Sequence, residues 1–179
     1  MDGLPDHDLM ARAAKGDERA FRTLSERHAG AALRLARRIL GNEAAAEDIV
    51  QDALLRVWVN APRWRPEAAV RTWLYRIVVN LCLNARRRAP DLPLETAGDV
   101  ADPNSAADEQ LRLRERDHHL AAAIDALPPR QRAAVVLTYQ EGLSNAEVAE
   151  VLDTSVSGVE TLLVRARRTL RGAFESDQG

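Results

Sequence analysis

The stretch Ser144–Arg171, SNAEVAEVLDTSVSGVETLLVRARRTLR, decides how the chain reads. Ser144 stands three residues ahead of Glu147, the spacing of a capping box, and predicts the start of a short helix. Asp153-Thr154 supplies a turn, and Ser155 caps a second helix. Helix, short turn and helix together outline a helix-turn-helix. Along the second helix Val156, Val159, Leu163, Ala166 and Leu170 recur at alternating short spacings. That rhythm predicts an inner face seated against Val148, Ala149 and Leu152. The outward face is then Ser157, Thr161, Val164, Arg165 and Arg168, with Glu160 on the flank and Leu162 at the core edge. In such a motif the start of the second helix meets base edges, and phosphate contacts anchor the rest. An ordinary helical hairpin with a solvated arginine face carries the same pattern.

Upstream of this pair, Leu113, Leu120, Ile124 and Leu127 stripe one helix. Pro128-Pro129 breaks it and starts the next, because proline is tolerated in a first turn. That next helix, RQRAAVVLTYQE, is apolar at consecutive positions and therefore central; Gly142 ends it. Further upstream, APDLPLETAGDVADPNSAADEQ (89–110) has prolines, a glycine and acids without helical periodicity. It reads as a flexible, exposed acidic linker. The expected division is an N-terminal helical unit at 5–88, a linker at 89–109 and a C-terminal unit at 110–173.

In the N-terminal unit a short helix stops at Gly16, and a second starts near Glu18. Phe21, Leu24, His28, Ala31, Leu35 and Ile39 mark its inner face, and Gly41-Asn42 ends it. A third helix, 43–60, carries Ile49, Val50, Ala53, Leu54, Val57 and Trp58 as its stripe. Pro62 and Pro66 bracket a loop, and a fourth helix, 67–88, ends in three arginines. His28 on an apolar stripe reads as a satisfied core histidine, and His118-His119 as surface.

Hydrophobic residues are 46% and charged residues 29% of the 179, the profile of a folded all-α protein. No apolar run is long enough to cross a membrane, and the acidic first residues lack a signal-peptide core. One cysteine, Cys82, excludes an internal disulfide and a cysteine metal cluster, so the cytoplasm is the expected compartment. On the apolar fourth helix it reads as a small buried hydrophobe. No metal site, phosphate loop or nucleophile motif is present, so neither cofactor nor catalysis is expected. The net charge of −2 hides an asymmetry: the acids of 89–109 offset a basic N-terminal half.

AAEDIVQDALLRVW (45–58), VRTWLYRIVVNLCLNARRR (70–88) and the stretch from Ile124 to Arg171 closely resemble, in order and spacing, the sigma-70 superfamily. Within it the chain resembles the extracytoplasmic-function (ECF, group IV) sigma factors, from about Leu9 to Arg171. The resemblance implies a region 2 helical bundle and a region 4 helix-turn-helix. It also implies a subunit that binds core RNA polymerase at clamp and flap, recognises −10 and −35 promoter elements and helps melt DNA. An anti-sigma factor is the implied regulator, with no direct membrane insertion by the chain itself.

Residue by residue, Asp48, Gln51, Asp52, Leu55 and Arg56 match the family's clamp-binding helix. Asp48 and Asp52 share a face at i and i+4, which suits a basic partner and equally suits solvent. Arg63, Trp64 and Arg65 lie in the loop where the family reads an extruded −10 base. Trp73 and Tyr75 are further aromatics in a basic setting, and Trp73 also reads as core. Asn80 and Asn84 match polar positions one turn apart, where an amide can both donate to and accept from a base edge. Arg76, Arg86, Arg87 and Arg88 match phosphate contacts or a solvated helix end. In region 4, Arg130 and Arg132 open the central helix near upstream DNA or the flap. Ser155, Ser157, Glu160, Thr161, Val164, Arg165 and Arg168 form the −35 surface. Glu160 departs from the basic or polar residue common there, and it can accept from a cytosine amino group. Two other readings carry part of the pattern: a sigma mimic that sequesters an anti-sigma factor, and a dimeric helix-turn-helix regulator.

Overall fold

The computed structural model describes residues 3–66, 69–89 and 119–176. Every regular element among them is helical. Most of the expected linker, with Leu113 and His118, lies outside the described residues.

The first group is α1 (Asp6–Ala13), α2 (Glu18–Leu40), α3 (Glu43–Asn60) and α4 (Val70–Arg88), with a 3-10 turn at Ala61–Arg63. Asp17 caps α2 by accepting from the backbone N–H groups of Arg19 and Ala20, both at 3.1 Å. Gly41 ends α2 in the left-handed region at φ +66°, where a side chain would be strained. Asn42 then caps α3 by accepting from Ala45 N–H at 2.9 Å. The stripes meet in one core: Leu35 and Ile39 of α2, Val50 of α3, and Leu74, Val78 and Cys82 of α4 are all buried. Phe21 and Trp58 close its edge as a tilted ring pair 5.0 Å apart. Burial, partly offset by nearby Arg86, pushes the Cys82 thiol up to about 12.

One expectation is corrected here. α4 begins at Val70 rather than near 67, and its N-cap residue, Ala69, makes no side-chain hydrogen bond. His28 is largely buried at the core edge and is satisfied: its imidazole Nε2 meets Asp6 Oδ2 at 2.6 Å, and Arg27 pairs with the same carboxylate.

The second group is α5 (119–125), α6 (Pro129–Val135), α7 (Asn145–Leu152) and α8 (Val156–Ser176). α6 runs on into a π-helical segment, Val136–Gln140, which apolar patterning alone does not announce. The capping box at α7 is complete: Glu147 N–H donates to Ser144 Oγ, and Ser144 N–H donates to Glu147 Oε2 at 2.8 Å. Asp153, in the left-handed region at φ 51°, makes the turn to α8. Ser155 Oγ accepts from Gly158 N–H at 3.1 Å and so caps α8. Val159, Leu163 and Ala166 are buried against α6 and α7. Val156 departs from the expected inner face, at 44% exposed, where it lines the open cleft beside Ala149 and Glu150.

The two groups touch. α4 packs along α7, and α2 meets α6 and the π segment.

Candidate nucleic-acid interface

α3 presents Asp48, Gln51 and Arg56 as exposed groups with Asp52 half-buried beside them. Arg56 binds Asp52 through two N–H groups, at 2.9 and 3.1 Å, a bidentate pair one helical turn apart. Next to this pair Leu55 and Val59 stand 60% and 66% exposed. The face is therefore acidic at one end and apolar at the other. Val59 does not stand out in the sequence, although its i+4 spacing from Leu55 is visible there.

Where α3 ends, a pocket of about 360 Å³ opens between it and α4. Arg63, Trp73, Asn80 and Asn84 all line it, joined by Asn60, Ile77 and Leu81, which sequence reasoning missed. Trp73 and Ile77 give it apolar walls, while the asparagine amides give it donors and acceptors. Asn60 spends one donor on Arg56 O at 2.8 Å. Trp64 and Arg76 do not share this pocket. They line a second cleft of about 730 Å³, whose opposite wall comes from α7 and α8, including Asp153, Ser155 and Val156. Arg76 reaches across to Asp153 at 3.3 Å. The arginines at the end of α4 sit elsewhere. A helix rises about 1.5 Å per residue, which puts Arg88 ~22 Å from Trp73. Arg86 there donates to Leu40 O and so closes the end of α2.

On α8, Ser157, Glu160, Thr161, Val164, Arg165 and Arg168 are all exposed and lie together. The hydroxyls are partly engaged: Thr161 Oγ1 donates to Ser157 O at 2.9 Å, and Ser155 and Ser157 share a bond of 3.0 Å. One expected member, Arg132, is absent from this surface. Arg132 is only 3% exposed, donating to Ile39 O at 3.0 Å and Ile124 O at 3.2 Å, and pairing with Asp125 at 3.3 Å. Arg130 stays exposed at the start of α6 while one of its N–H groups donates to Leu152 O at 2.9 Å, at the end of α7. Tyr75, noted as an aromatic in a basic setting, is buried.

A helix-turn-helix with an exposed polar and basic face, beside a bundle with an aromatic, amide-lined pocket, has the make-up of a nucleic-acid reader. Comparison with known proteins defines which one. Residues 24–90 match sigma-70 region 2, and residues 118–170 match sigma-70 region 4. The ECF RNA polymerase sigma factor SigM of Mycobacterium tuberculosis is 38% identical over 168 residues, covering 92% of this chain and 82% of SigM. The RNA polymerase sigma factor CnrH of Cupriavidus metallidurans is 34% identical over 183 residues, covering 96% and 95%. The solved structure of CnrH in complex with the cytosolic domain of CnrY has a TM-score of 0.69 at 32% identity, covering 96% of this chain and 98% of the solved one. The chain belongs to the sigma-70 family as an ECF RNA polymerase sigma factor.

Among the described residues no helix is long and apolar enough to cross a membrane. No group of metal-ligating side chains occurs among them either.

Proposed function

We propose that the chain works as a two-part adaptor, without catalytic activity, that carries core RNA polymerase to promoters in the cytoplasm. Residues 5–88 form the part that meets the polymerase clamp and the −10 element, 89–109 the connection, and 110–173 the part that meets the −35 element and the flap. Asp48, Gln51, Asp52, Leu55 and Arg56 make the clamp contact, with Val59 extending its apolar end. The observation that carries the −10 assignment is the convergence of Arg63, Trp73, Asn80 and Asn84 on one pocket. A pocket with one aromatic wall and amides on the other suits a single unstacked base. Capturing that base favours the melted duplex over the closed one. Trp64, Arg65 and Arg76 flank it, and the end of α4, with Arg87 and Arg88, meets phosphates.

At the −35 element, Ser155, Ser157, Glu160, Thr161 and Val164 face base edges, while Arg165 and Arg168 hold phosphates. Arg130, exposed at the start of α6, meets upstream DNA or the flap, whereas buried Arg132 ties the end of α2 to Ile124 and Asp125. Each half binds weakly, and linking both through the polymerase multiplies the two affinities. CnrH is held by the cytosolic domain of another protein, and this likeness supports control of the present chain by an anti-sigma factor.

The test is run-off transcription with purified core polymerase on the DNA upstream of the protein's own gene. A transcript that requires the protein supports the reading. No transcript from that template, with core binding also absent, overturns it.

A further inference from the structure

Asn60 is the last residue of α3, where the chain bends into the 3-10 turn at Ala61–Arg63. It is half-buried and borders the pocket of about 360 Å³ together with Asn80 and Asn84 of α4. The three amides differ in one respect. Asn80 and Asn84 are exposed, and among the described residues no hydrogen bond holds either side chain. Each can turn over to suit the base edge it meets, because an amide offers donors at one end and an acceptor at the other. Asn60 cannot. Its Nδ2 donates to Arg56 O, one turn back along α3, at 2.8 Å. A carbonyl oxygen only accepts, so turning this amide over would set two oxygens against each other. Holding Nδ2 back against α3 turns Oδ1 away from the helix and toward the pocket. The pocket therefore carries one acceptor whose place is fixed by the protein itself.

The neighbouring cations do not cancel this acceptor. Arg56 also borders the pocket, but its guanidinium is spent on Asp52 through bonds of 2.9 and 3.1 Å. Arg63 is exposed at the mouth, where it suits the phosphate of a bound strand. Trp73 and Ile77 are apolar walls, which hold a ring by its faces and leave its edge to be read. Base edges differ in what projects from them. Cytosine and adenine carry an exocyclic amino group, a donor, whereas thymine and guanine carry an oxo group, an acceptor. A fixed acceptor attracts the first pair and repels the second. An amide free to turn takes either.

We propose that Asn60 is a specificity-determining residue, whose pinned Oδ1 makes the pocket select an unpaired cytosine or adenine over thymine or guanine. This role rests on the pocket's being the −10 base site, as proposed above. Exchanging amino for oxo at the captured position leaves two acceptors facing each other, and a contact of this kind discriminates by about five- to tenfold.

The test uses the natural chain assembled with core polymerase and the fluorescence anisotropy of labelled single strands. These carry the non-template −10 segment from upstream of the protein's own gene, with each position set in turn to cytosine, adenine, thymine or guanine. At one position cytosine and adenine are expected to bind about five- to tenfold more tightly than thymine and guanine. Asn60→Ala is expected to bring that ratio within about twofold, while preferences at the other positions persist. Asn60→Ser should do the same. Its hydroxyl can still donate to the carbonyl one turn back and satisfy the helix end, but it is too short to reach the base. Circular dichroism checks that both variants keep their helical content. Asn84→Ala is expected to weaken all four bases alike, because that amide turns freely. A preference that survives both Asn60 variants removes Asn60 from this role and leaves the pocket reading in place. So does a preference that depends on Asn60 but favours thymine and guanine. Strands that bind without base preference at any position, or do not bind at all, remove the −10 reading and this role together.

Discussion

Arg132 shows how far a residue's environment can depart from its type. As an arginine opening a helix it reads as a surface cation for DNA. In the fold its guanidinium caps the end of α2, with Asp125 as counter-charge. Nothing local in the sequence records this, because the acceptor at Ile39 is remote along the chain. Removing one member of a buried charged network costs about 3–5 kcal/mol. Arg132→Ala should therefore lower unfolding stability by roughly that much in urea melts, whereas Arg168→Ala should stay within ~0.5 kcal/mol. Asp6 gives a pH signature. Burial raises its carboxyl, but hydrogen bonds from Arg27 and His28 outweigh this and hold it below the usual 3.8. A depressed carboxyl stabilises the fold above its unfolded value and loses that contribution as pH falls through the folded one. Asp6→Asn should thus flatten the acid limb of the stability–pH curve as pH falls through and below the ordinary carboxyl value of 3.8, and an unchanged acid limb would refute the pairing. Glu160 is exposed on the reading face. Glu160→Lys should raise nonspecific DNA affinity and steepen its salt dependence by about 0.9 in log–log slope for each new phosphate contact. A filter-binding salt series would show it. An effect confined to anti-sigma binding would make that flank a partner surface.

At the scale of elements, legibility tracked local chemistry. α2 and α3 were readable to their ends because Asp17, Asn42 and Gly41 act on backbone groups within a turn. The Ser144–Glu147 box was readable for the same reason, and Ser144→Ala should cost about 1 kcal/mol in thermal unfolding. The start of α4 was not, since no capping side chain marks it. Neither was the π segment. A run of consecutive apolar residues fits several hydrogen-bond registers, and the segment's packing partners, α2 among them, are remote in the sequence. The base pocket was half legible. Asn80 and Asn84 share a face by spacing alone, but Asn60 joins them only because α3 and α4 cross there. Trp73→Ala, which removes the pocket's aromatic wall, should weaken promoter opening by about 1–3 kcal/mol, the usual worth of a stacked base, as seen by permanganate reactivity of unpaired thymines.

For the molecule as a whole, the sequence announced two helical units in the right order. It did not announce that they bind each other, since the groups involved sit in separate motifs. Tyr75 lies inside a helix otherwise read for DNA, and Glu141, whose carboxylate accepts from the Tyr75 hydroxyl at 2.7 Å, lies at a helix end with no DNA role. A charged interface between units is screened by salt to the extent that it is exposed. Cys82 adds a practical consequence. It is the sole thiol, wholly enclosed in the first group, and held protonated. Alkylating reagents reach it only when that core opens. The rate at which the natural chain reacts with such a reagent is therefore a built-in gauge of region 2 unfolding. Domain separation that leaves this core intact should not move the gauge, so it distinguishes a molecule that unhinges from one that melts.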